Sequence, residues 1–194
     1  MFHYSTYSDF LSSEVRANLI SWAIDNENKF ELSTVTSGRS ERRKSLRVRD
    51  FEPLETVLRE RVLSISVKLM KDLLVPEFTP SRVETELVAH NDGAFFKRHV
   101  DRLYGHERRK HDRILTSVYY FFVEPKAFTG GALRLYSLDK EKGDNIFTDV
   151  LPEQNTLIVF PSWVPHEVMP VSCPSRSFAH SRFAVTCWLC REAE

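Results

Sequence analysis

Short β-rich runs separated by turn residues fill the sequence from about Arg82 onward, and they constrain the fold more than any other feature. Turn signals such as Asn91-Asp92-Gly93 and Thr129-Gly130-Gly131 lie between the runs, and no gap has the length of a helix. The runs extend over Arg82 to His90, Ala94 to Val100, Ile114 to Val123, Ala132 to Leu138, Thr156 to Phe160, His166 to Val171 and Arg182 to Leu189. Short strands at this spacing predict an antiparallel sandwich, jelly roll or barrel.

The N-terminal part favours helices instead. A first amphipathic helix follows Ser12-Ser13, which can cap its first turn, and its apolar face comprises Val15, Leu19, Trp22 and Ala23. A second begins at Pro53, ends before Pro76 and has an apolar stripe formed by Leu54, Val57, Leu58, Val62, Ile65, Leu69 and Leu73. We therefore predict one domain, residues 1–194, in which 1–81 supply helical support and a basic loop and 82–194 form the β core.

Two segments are rich in basic residues. Ser33 to Ser45 is polar, basic and without periodicity, which predicts a mobile loop, and a lid is one use for it. His106 to Arg113 predicts either a solvated loop or a basic rim that attracts an acidic substrate.

Charge and cysteine content exclude several function classes. The 27 Lys and Arg residues balance the 27 Asp and Glu residues, so the chain lacks the long-range field of a general nucleic-acid or anionic-membrane binder. Its longest apolar runs are far shorter than the roughly 20 residues of a membrane span, and its start shows no secretory pattern. The odd count of three cysteines favours a reducing cytoplasm. Cys187 and Cys190 would face opposite sides of a strand, which argues against a zinc or redox pair.

A chelating pair is expected in the run Phe95 to Asp101. Residues two apart in a strand point to the same face, so the side chains of His99 and Asp101 converge. His166, beside another strand, can supply a third ligand. Two histidines and one carboxylate on one side of a cation form the facial arrangement of non-haem Fe(II) sites. The His-x-Asp spacing is weak by itself, because a polar pair on a strand face is the alternative.

The last strand offers a candidate anion site. Arg182, Ala184, Thr186 and Trp188 share one face, and a buried arginine requires an anionic partner. A ligand carboxylate held by the Arg182 guanidinium, with the Thr186 hydroxyl as second donor, would satisfy it. The alternative is an arginine that faces solvent at the end of the strand.

These residues lie in five blocks that occur in the order of a known family. The blocks are Phe96-Lys97-Arg98-His99-Val100-Asp101, Leu115-Thr116-Ser117-Val118-Tyr119-Tyr120, Gly130-Gly131-Ala132-Leu133-Arg134-Leu135-Tyr136, Phe160 to Val171 and Arg182 to Trp188. From about Arg82 to Leu189 the chain resembles the 2-oxoglutarate and Fe(II)-dependent oxygenases, and within them the prolyl 4-hydroxylase-like branch. The resemblance implies an α+β, mainly β fold: a double-stranded β-helix (jelly roll, cupin-like) buttressed by N-terminal helices.

The same resemblance implies a cofactor set and a reaction. Fe(II) is expected on His99, Asp101 and His166, with O2 and 2-oxoglutarate as cosubstrates and ascorbate as a candidate reductant. The implied reaction hydroxylates an unactivated C–H bond while 2-oxoglutarate is converted to succinate and CO2. Arg182 is expected to bind the distal carboxylate of 2-oxoglutarate.

Other cosubstrate contacts are implied in turn. Tyr120 is expected to donate a hydrogen bond to the distal carboxylate, and Leu133 to pack against the cosubstrate.

The chain departs from the family in two places. The segment Cys173 to Ser181 lengthens the distance from His166 to the strand arginine, so Arg176 is a rival for Arg182. His90 stands where the family often has a cosubstrate-binding tyrosine, and it either fills that role or caps a strand.

The expected substrate is a prolyl residue of a peptide or protein, or a small amino-acid-like metabolite. A nucleic-acid demethylase of the same superfamily is disfavoured by the neutral net charge. The alternative from another class is a cupin-like module that binds a metal or ligand without turnover. A cytoplasmic enzyme that does not act at a membrane is expected, and the sequence does not indicate its oligomeric state.

Overall fold

Two antiparallel sheets enclose the cavity of this protein in a computed structural model that describes residues 3–33, 40–102, 110–139 and 146–193. The described strands are β1 (Ser5–Tyr7), β2 (Glu31–Leu32), β3 (Arg43–Lys44), β4 (Leu46–Val48), β5 (Arg82–His90), β6 (Phe95–His99), β7 (His111–Phe121), β8 (Thr129–Gly130), β9 (Leu133–Tyr136), β10 (Phe147–Val150), β11 (Thr156–Pro161), β12 (His166–Val168), β13 (Val171–Ser172) and β14 (Arg182–Glu192). The described helices are α1 (Ser13–Asp25), α2 (Leu54–Ser64) and α3 (Ser66–Asp72), with short 3-10 turns at Glu27–Lys29, Ser40–Arg42 and Phe178–His180.

The major sheet has the strand order β1-β11-β7-β14-β5-β4-β2, and the minor sheet has the order β10-β9-β12-β6-β3. Strands β8 and β13 form a separate pair. The predicted jelly roll, buttressed by N-terminal helices, is confirmed. Strands β1 to β4 belong to the first 81 residues, so this part supplies sheet edges as well as helices.

The two faces of the major sheet bury different groups because side chains alternate along each strand. On β14 the side chains of Phe183 and Val185 point outward into the main core, which also contains Leu19 of α1 and Leu58 of α2. Ala184, one position along, points inward to a smaller apolar cluster between the sheets. The helices therefore cover the outer face and leave the inner face for the cavity.

Helix α1 begins as the sequence predicts. The Ser12 hydroxyl accepts a hydrogen bond from the Val15 amide at 3.3 Å, and Leu19 and Ala23 are buried. The single second helix is wrong, since Ile65 interrupts it and separates α2 from α3. The interruption allows both helices to bury leucine side chains in the same core.

Further details of the N-terminal part differ from expectation. Pro53 precedes α2 instead of lying in its first turn, and Val57 is partly exposed. Within the expected loop Ser33 to Ser45, residues 34–39 lie outside the described part. Residues 40–44 are not irregular, because they form a 3-10 turn and strand β3, which pairs with β6.

Of the second basic cluster, residues 106–109 fall outside the described part of the chain. The segment Cys173 to Ser181 contains a 3-10 turn whose Phe178 packs against Phe183, so this insertion is anchored in the core. Among the described helices, none has the length and apolar character needed to cross a membrane.

Candidate active site

Three potential metal ligands meet where β6 and β12 pair. His99 ends β6 and His166 begins β12, and the two residues are direct partners in the antiparallel register, with ring centroids 4.2 Å apart. Asp101 follows two residues after His99. Its Oδ1 lies 3.6 Å from Nε2 of His99, and its Oδ2 lies 3.5 Å from Nε2 of His166. One ligand atom from each of the three residues lies within 4.8 Å of the others, which fits a shared metal ion.

Hydrogen bonds orient both imidazoles for this role. Nδ1 of His99 lies 2.8 Å from the carbonyl oxygen of Lys97, and Nδ1 of His166 lies 2.9 Å from that of Val164. A carbonyl only accepts, so each Nδ1 carries the proton and each Nε2 keeps its lone pair for a metal. Burial and the neighbouring His166 lower the pKa of His99 to about 3, which keeps that imidazole neutral.

The carboxylate is held from the major sheet. Thr116 Oγ1 donates a hydrogen bond to Asp101 Oδ2 at 2.8 Å, and the Ser162 hydroxyl lies 2.9 Å from Thr116 Oγ1. The Asp101 amide donates to the Ser162 carbonyl at 2.9 Å. Burial opposes ionisation of Asp101, but electrostatic interaction with the adjacent His166 and His99 outweighs burial and lowers the pKa of Asp101. Asp101 is therefore a fixed, ionised ligand.

An unpaired cation lies at the other end of the cavity. Arg182 opens β14 and is only 1% exposed, and its guanidinium lies 4.7 Å from the ring centroid of Tyr120. Nη1 bonds to His90, whereas Nε and Nη2 have no partner within the described residues, and neither does the buried Tyr120 hydroxyl. A buried guanidinium without a carboxylate has a strong requirement for an anion.

His90 completes this end of the cavity. Its Nδ1 lies 3.3 Å from Arg182 Nη1, and its buried Nε2 has no partner within the described residues. Burial, reinforced by the charge of Arg182, lowers the pKa of His90 well below its ordinary value. The neutral ring accepts from Arg182 at Nδ1 and consequently carries its proton on Nε2. The unpaired donors of His90 and Tyr120 thus belong to residues that contact Arg182, and a carboxylate ligand requires donors grouped in this way.

The cavity between the two ends opens to solvent, and its volume is about 510 Å³ when the part open to solvent is included. Leu133 of β9 and Thr186 of β14 line its walls, as do His90 and Arg182. Tyr120 lies against Arg182. Seven of the residues that the sequence singled out for the site line this cavity: His99, Asp101, His166, Arg182, Thr186, Leu133 and His90.

The rival arginine lies elsewhere. The Arg176 side chain is 81% exposed, and its Nε lies 3.4 Å from Asp92 Oδ2. The His-x-Asp spacing also occurs at His90-Asn91-Asp92, but those two side chains do not meet at one site, since His90 faces the cavity while Asp92 accepts a hydrogen bond from the Cys173 amide. His111 contacts Ser81 instead of the cavity.

Sequence reasoning missed four polar residues of the site. Thr116 shares the inward phase of Tyr120, four residues further along β7, so two-residue alternation was a usable signal. Glu86 has the same phase as His90 on β5. Ser162 and Arg43, which lie in a turn and at a sheet corner, carry no periodic signal.

A jelly roll with a His-Asp-His cluster at one end of its cavity and a buried arginine at the other defines a class of metal-dependent enzymes. The profile of the 2OG-Fe(II) oxygenase superfamily matches residues 85–190. The chain belongs to this superfamily, which uses Fe(II), 2-oxoglutarate and O2.

Individual relatives agree with this assignment. The chain is 39% identical to an uncharacterized PKHD-type hydroxylase of Synechocystis sp. (strain ATCC 27184 / PCC 6803 / Kazusa), and the alignment covers 96% of the chain but only 62% of that relative. A prolyl-4-hydroxylase from Pseudomonas putida has a TM-score of 0.70 at 24% identity, covering 98% of this chain and 94% of that one. A Trichoplax adhaerens prolyl hydroxylase, solved with a hypoxia inducible factor peptide fragment, has a TM-score of 0.68 at 18% identity, covering 97% and 83%. These two structures support the fold alone.

Proposed function

We propose that this chain is a 2-oxoglutarate-dependent Fe(II) dioxygenase that hydroxylates an unactivated C–H bond. The observation that carries the proposal is the pairing of two features in one cavity: a neutral-histidine and carboxylate cluster, and a buried arginine without an anionic partner. Neither feature has a structural explanation within the described residues, and iron with a dicarboxylate cosubstrate satisfies both.

The proposal assigns a role to each residue of the His-Asp-His cluster. His99, Asp101 and His166 would hold the iron through two Nε2 atoms and one carboxylate oxygen. Oxygen activation, with decarboxylation of 2-oxoglutarate to succinate and CO2, is the chemistry that the bound iron and cosubstrate supply. One oxygen atom of O2 ends in succinate and the other in the substrate hydroxyl group, so the reaction balances without another reductant.

The distal carboxylate of 2-oxoglutarate would lie against Arg182, with Tyr120 Oη–H and His90 Nε2–H as further donors and Thr186 beside them. Leu133 would pack against the cosubstrate carbon chain. Of the two roles foreseen for His90, cosubstrate binding is favoured by its unpaired Nε2 inside the cavity.

The proposed substrate is a prolyl residue of a peptide or a small amino-acid-like metabolite. The first choice is an analogy with two prolyl hydroxylases that share the fold, one of them solved with a peptide. The small open cavity is compatible with either one.

The test is succinate formation from 2-oxoglutarate with Fe(II) and O2. The purified chain should form succinate slowly without a substrate, and His166→Ala should abolish this turnover. His111→Ala is the matched control, because His111 also precedes an acidic residue but lies outside the cavity, and it should retain turnover. If the iron-loaded chain fails to bind 2-oxoglutarate in anaerobic calorimetry, the proposal is wrong, and a binding module without turnover is the better description.

A further inference from the structure

A corner of the chain closes the cavity between the two sheets. Strand β3 pairs with β6 of the minor sheet, with Arg43 opposite Phe96, and β4 pairs with β5 of the major sheet, with Leu46 opposite Ala89. Only Ser45 separates the two strands. The chain therefore crosses from one sheet to the other beside the cavity, and the Arg43 side chain lines that cavity.

Arg43 is held rigidly at this corner. Its Nη2 donates to Glu86 Oε1 at 2.7 Å and its Nε donates to the Ser45 hydroxyl at 2.9 Å. The guanidinium lies 4.8 Å from the Phe96 ring centroid, and the Phe96 ring stacks on His99 at 3.6 Å. One aromatic ring thus separates a fixed cation from a candidate iron ligand.

Three arginines meet at Glu86, and Glu31 contacts one of them, at 3.6 Å from Arg47 Nε, so the positive charges still outnumber these two carboxylates. The single Glu86 carboxylate lies at 2.7 Å from Arg43, 3.1 Å from Arg47 and 3.4 Å from Arg49. Among the described residues, the only other carboxylate in the cavity lining is Asp101, which belongs to the metal cluster. The Arg43 charge acts across the cavity, since it helps to lower the pKa of both His90 and His99, after burial and the nearer charges.

The hydrogen bonds of Arg43 leave one amino group available. Nε and Nη2 are used within the protein, whereas Nη1 has no hydrogen-bond partner within the described residues and is not fully buried. Glu86, Ser45 and Phe96 hold the guanidinium in one orientation, so little conformational entropy remains to be lost when an anion binds.

We propose that Arg43 binds a carboxylate of the substrate beside the candidate iron centre. The inference rests on the proposed function and narrows its substrate class to compounds in which a carboxylate lies close to the hydroxylated carbon. Two sources carry this chemistry: the α-carboxylate of a free amino acid, or an acidic side chain adjacent to the target residue of a peptide. Arg182 is a separate site that serves the cosubstrate.

The experiment compares probes that differ by one negative charge. One series contains the common L-amino acids and their carboxamides. The other series contains dipeptides that are acetylated at the N-terminus and amidated at the C-terminus. Each glutamyl dipeptide is paired with the glutaminyl dipeptide that otherwise has the same sequence. Stimulation of succinate formation is measured over the basal rate. We expect the probe that keeps the tested carboxylate to stimulate succinate formation, and its carboxamide partner to stimulate it at least tenfold less. The series that responds identifies the source of the carboxylate.

Variants assign the effect to Arg43. Arg43→Gln should raise the half-saturating concentration of an active probe about 10- to 100-fold, the range for loss of a charge-assisted hydrogen bond. Lys44→Gln is the control, because the exposed Lys44 on the same strand bonds to the Asp92 carbonyl instead. The double variant Arg43→Gln/Glu86→Gln covers the case in which an uncompensated Glu86 impairs folding, and thermal unfolding checks both variants.

Several results would overturn this inference. Equal stimulation by acidic and neutral partners, or no stimulation by any acidic probe in either series, would show that no carboxylate is recognised. Loss of 2-oxoglutarate affinity in Arg43→Gln to the same extent as loss of probe affinity would assign Arg43 to the cosubstrate or to the fold. Failure of the proposed function is distinguishable, because the unaltered chain would then lack basal succinate formation and 2-oxoglutarate binding.

Discussion

Gly131 lies directly against the side-chain stem of Arg182. A Cβ atom at Gly131 would lie 2.6 Å from Cδ and 3.1 Å from Nε of Arg182, and the backbone of Gly131 has φ of +67°. The absence of a side chain at this position therefore leaves the space in which the buried guanidinium is placed. The position of Arg182 depends on a residue of the β8–β9 connection as well as on its own strand.

Gly131→Ala should displace Arg182 and weaken cosubstrate binding. We expect the 2-oxoglutarate concentration for half-maximal succinate formation to rise about 10- to 100-fold, since a small displacement of a binding group has effects of this size. Gly93→Ala is the control, because Gly93 has φ of +68° but a Cβ there would meet only the end of the Lys44 side chain. Both variants should lose about 1 kcal/mol of stability from backbone strain. Equal effects on cosubstrate affinity would contradict the prediction.

The two rival arginines should differ sharply. Arg182→Ala removes the buried cation, and we expect the 2-oxoglutarate requirement to increase about 10- to 100-fold, as for loss of a charged hydrogen-bond donor. Arg176→Ala alters an exposed side chain paired only with Asp92 and should change the requirement less than about twofold. Isothermal titration of the iron-free chain measures the affinity for 2-oxoglutarate, and steady-state kinetics measure the concentration needed for half-maximal turnover. A larger effect of Arg176→Ala would show that the insertion supplies the carboxylate clamp.

Thr116→Val should weaken metal binding without removing a ligand. The substitution keeps the shape of the side chain but deletes the hydroxyl that donates to Asp101, and such supporting contacts typically contribute about 10- to 100-fold in metal affinity. Titration with Mn(II), followed by electron paramagnetic resonance, measures the dissociation constant. Ser117→Ala is the control. Ser117 is the next residue of β7 and lies on its opposite face, where its hydroxyl donates to the Cys187 carbonyl of β14. An unchanged Mn(II) affinity in Thr116→Val would rule out this positioning role.

Alternation along strands made much of the cavity predictable from sequence. Strand β14 is continuous and central in the major sheet, so its two-residue period predicts that Arg182 and Thr186 share a face, and the structure shows that this is the cavity face. His99 and Asp101 were predictable by the same period. His166 was a candidate third ligand from its place beside another strand, but only resemblance to a family assigned it that role, because its register opposite His99 joins strands far apart in sequence.

The Arg43–Glu86 contact was not predictable by these means. The two residues are 43 positions apart, and they meet only because β3 and β4 pair with strands of different sheets. Local composition around Arg43 is polar and basic, which is typical of a loop, whereas tertiary pairing makes it a sheet corner. The break of the second helix at Ile65 is similar in origin, because packing of α2 and α3 on one core overrides a continuous apolar stripe.

The three cysteines should be unreactive in the folded protein. All are free and buried, and burial raises the pKa of Cys187 to about 12 and that of Cys190 to about 11. The nucleophilic thiolate is therefore scarce at neutral pH. A thiol-reactive chromogenic disulfide at pH 8 should modify them only after addition of denaturant. Rapid modification of Cys187 and Cys190 in the native protein, or formation of a disulfide between them, would support the redox role that strand geometry disfavours.

The buried Glu86 should make stability depend on pH in the acidic range. Burial alone would raise the pKa of Glu86, but the charges of Arg43 and Arg47 outweigh it, so the pKa lies below its ordinary value. A lowered carboxylate pKa contributes stability that is complete above the unfolded-state pKa of about 4.3 and is lost as the pH falls through the folded-state value. Glu86→Gln removes this contribution. We expect the free energy of unfolding to fall by about 3 kcal/mol at pH 7, because three guanidinium groups lose the carboxylate that they share.

The difference in unfolding free energy between the unaltered chain and Glu86→Gln should therefore shrink as the pH falls. Urea unfolding at pH 7, 5 and 3 measures it: the unaltered chain should lose stability more steeply below pH 5 than Glu86→Gln, until the two converge. Glu84→Gln is a matched control, since Glu84 also binds an arginine, Arg113 at 2.6 Å, but its side chain is 29% exposed. Its effect at pH 7 should be smaller because solvent screens the pair. A constant difference between the Glu86→Gln variant and the unaltered chain from pH 7 to pH 3 would show that folding does not shift the pKa of Glu86.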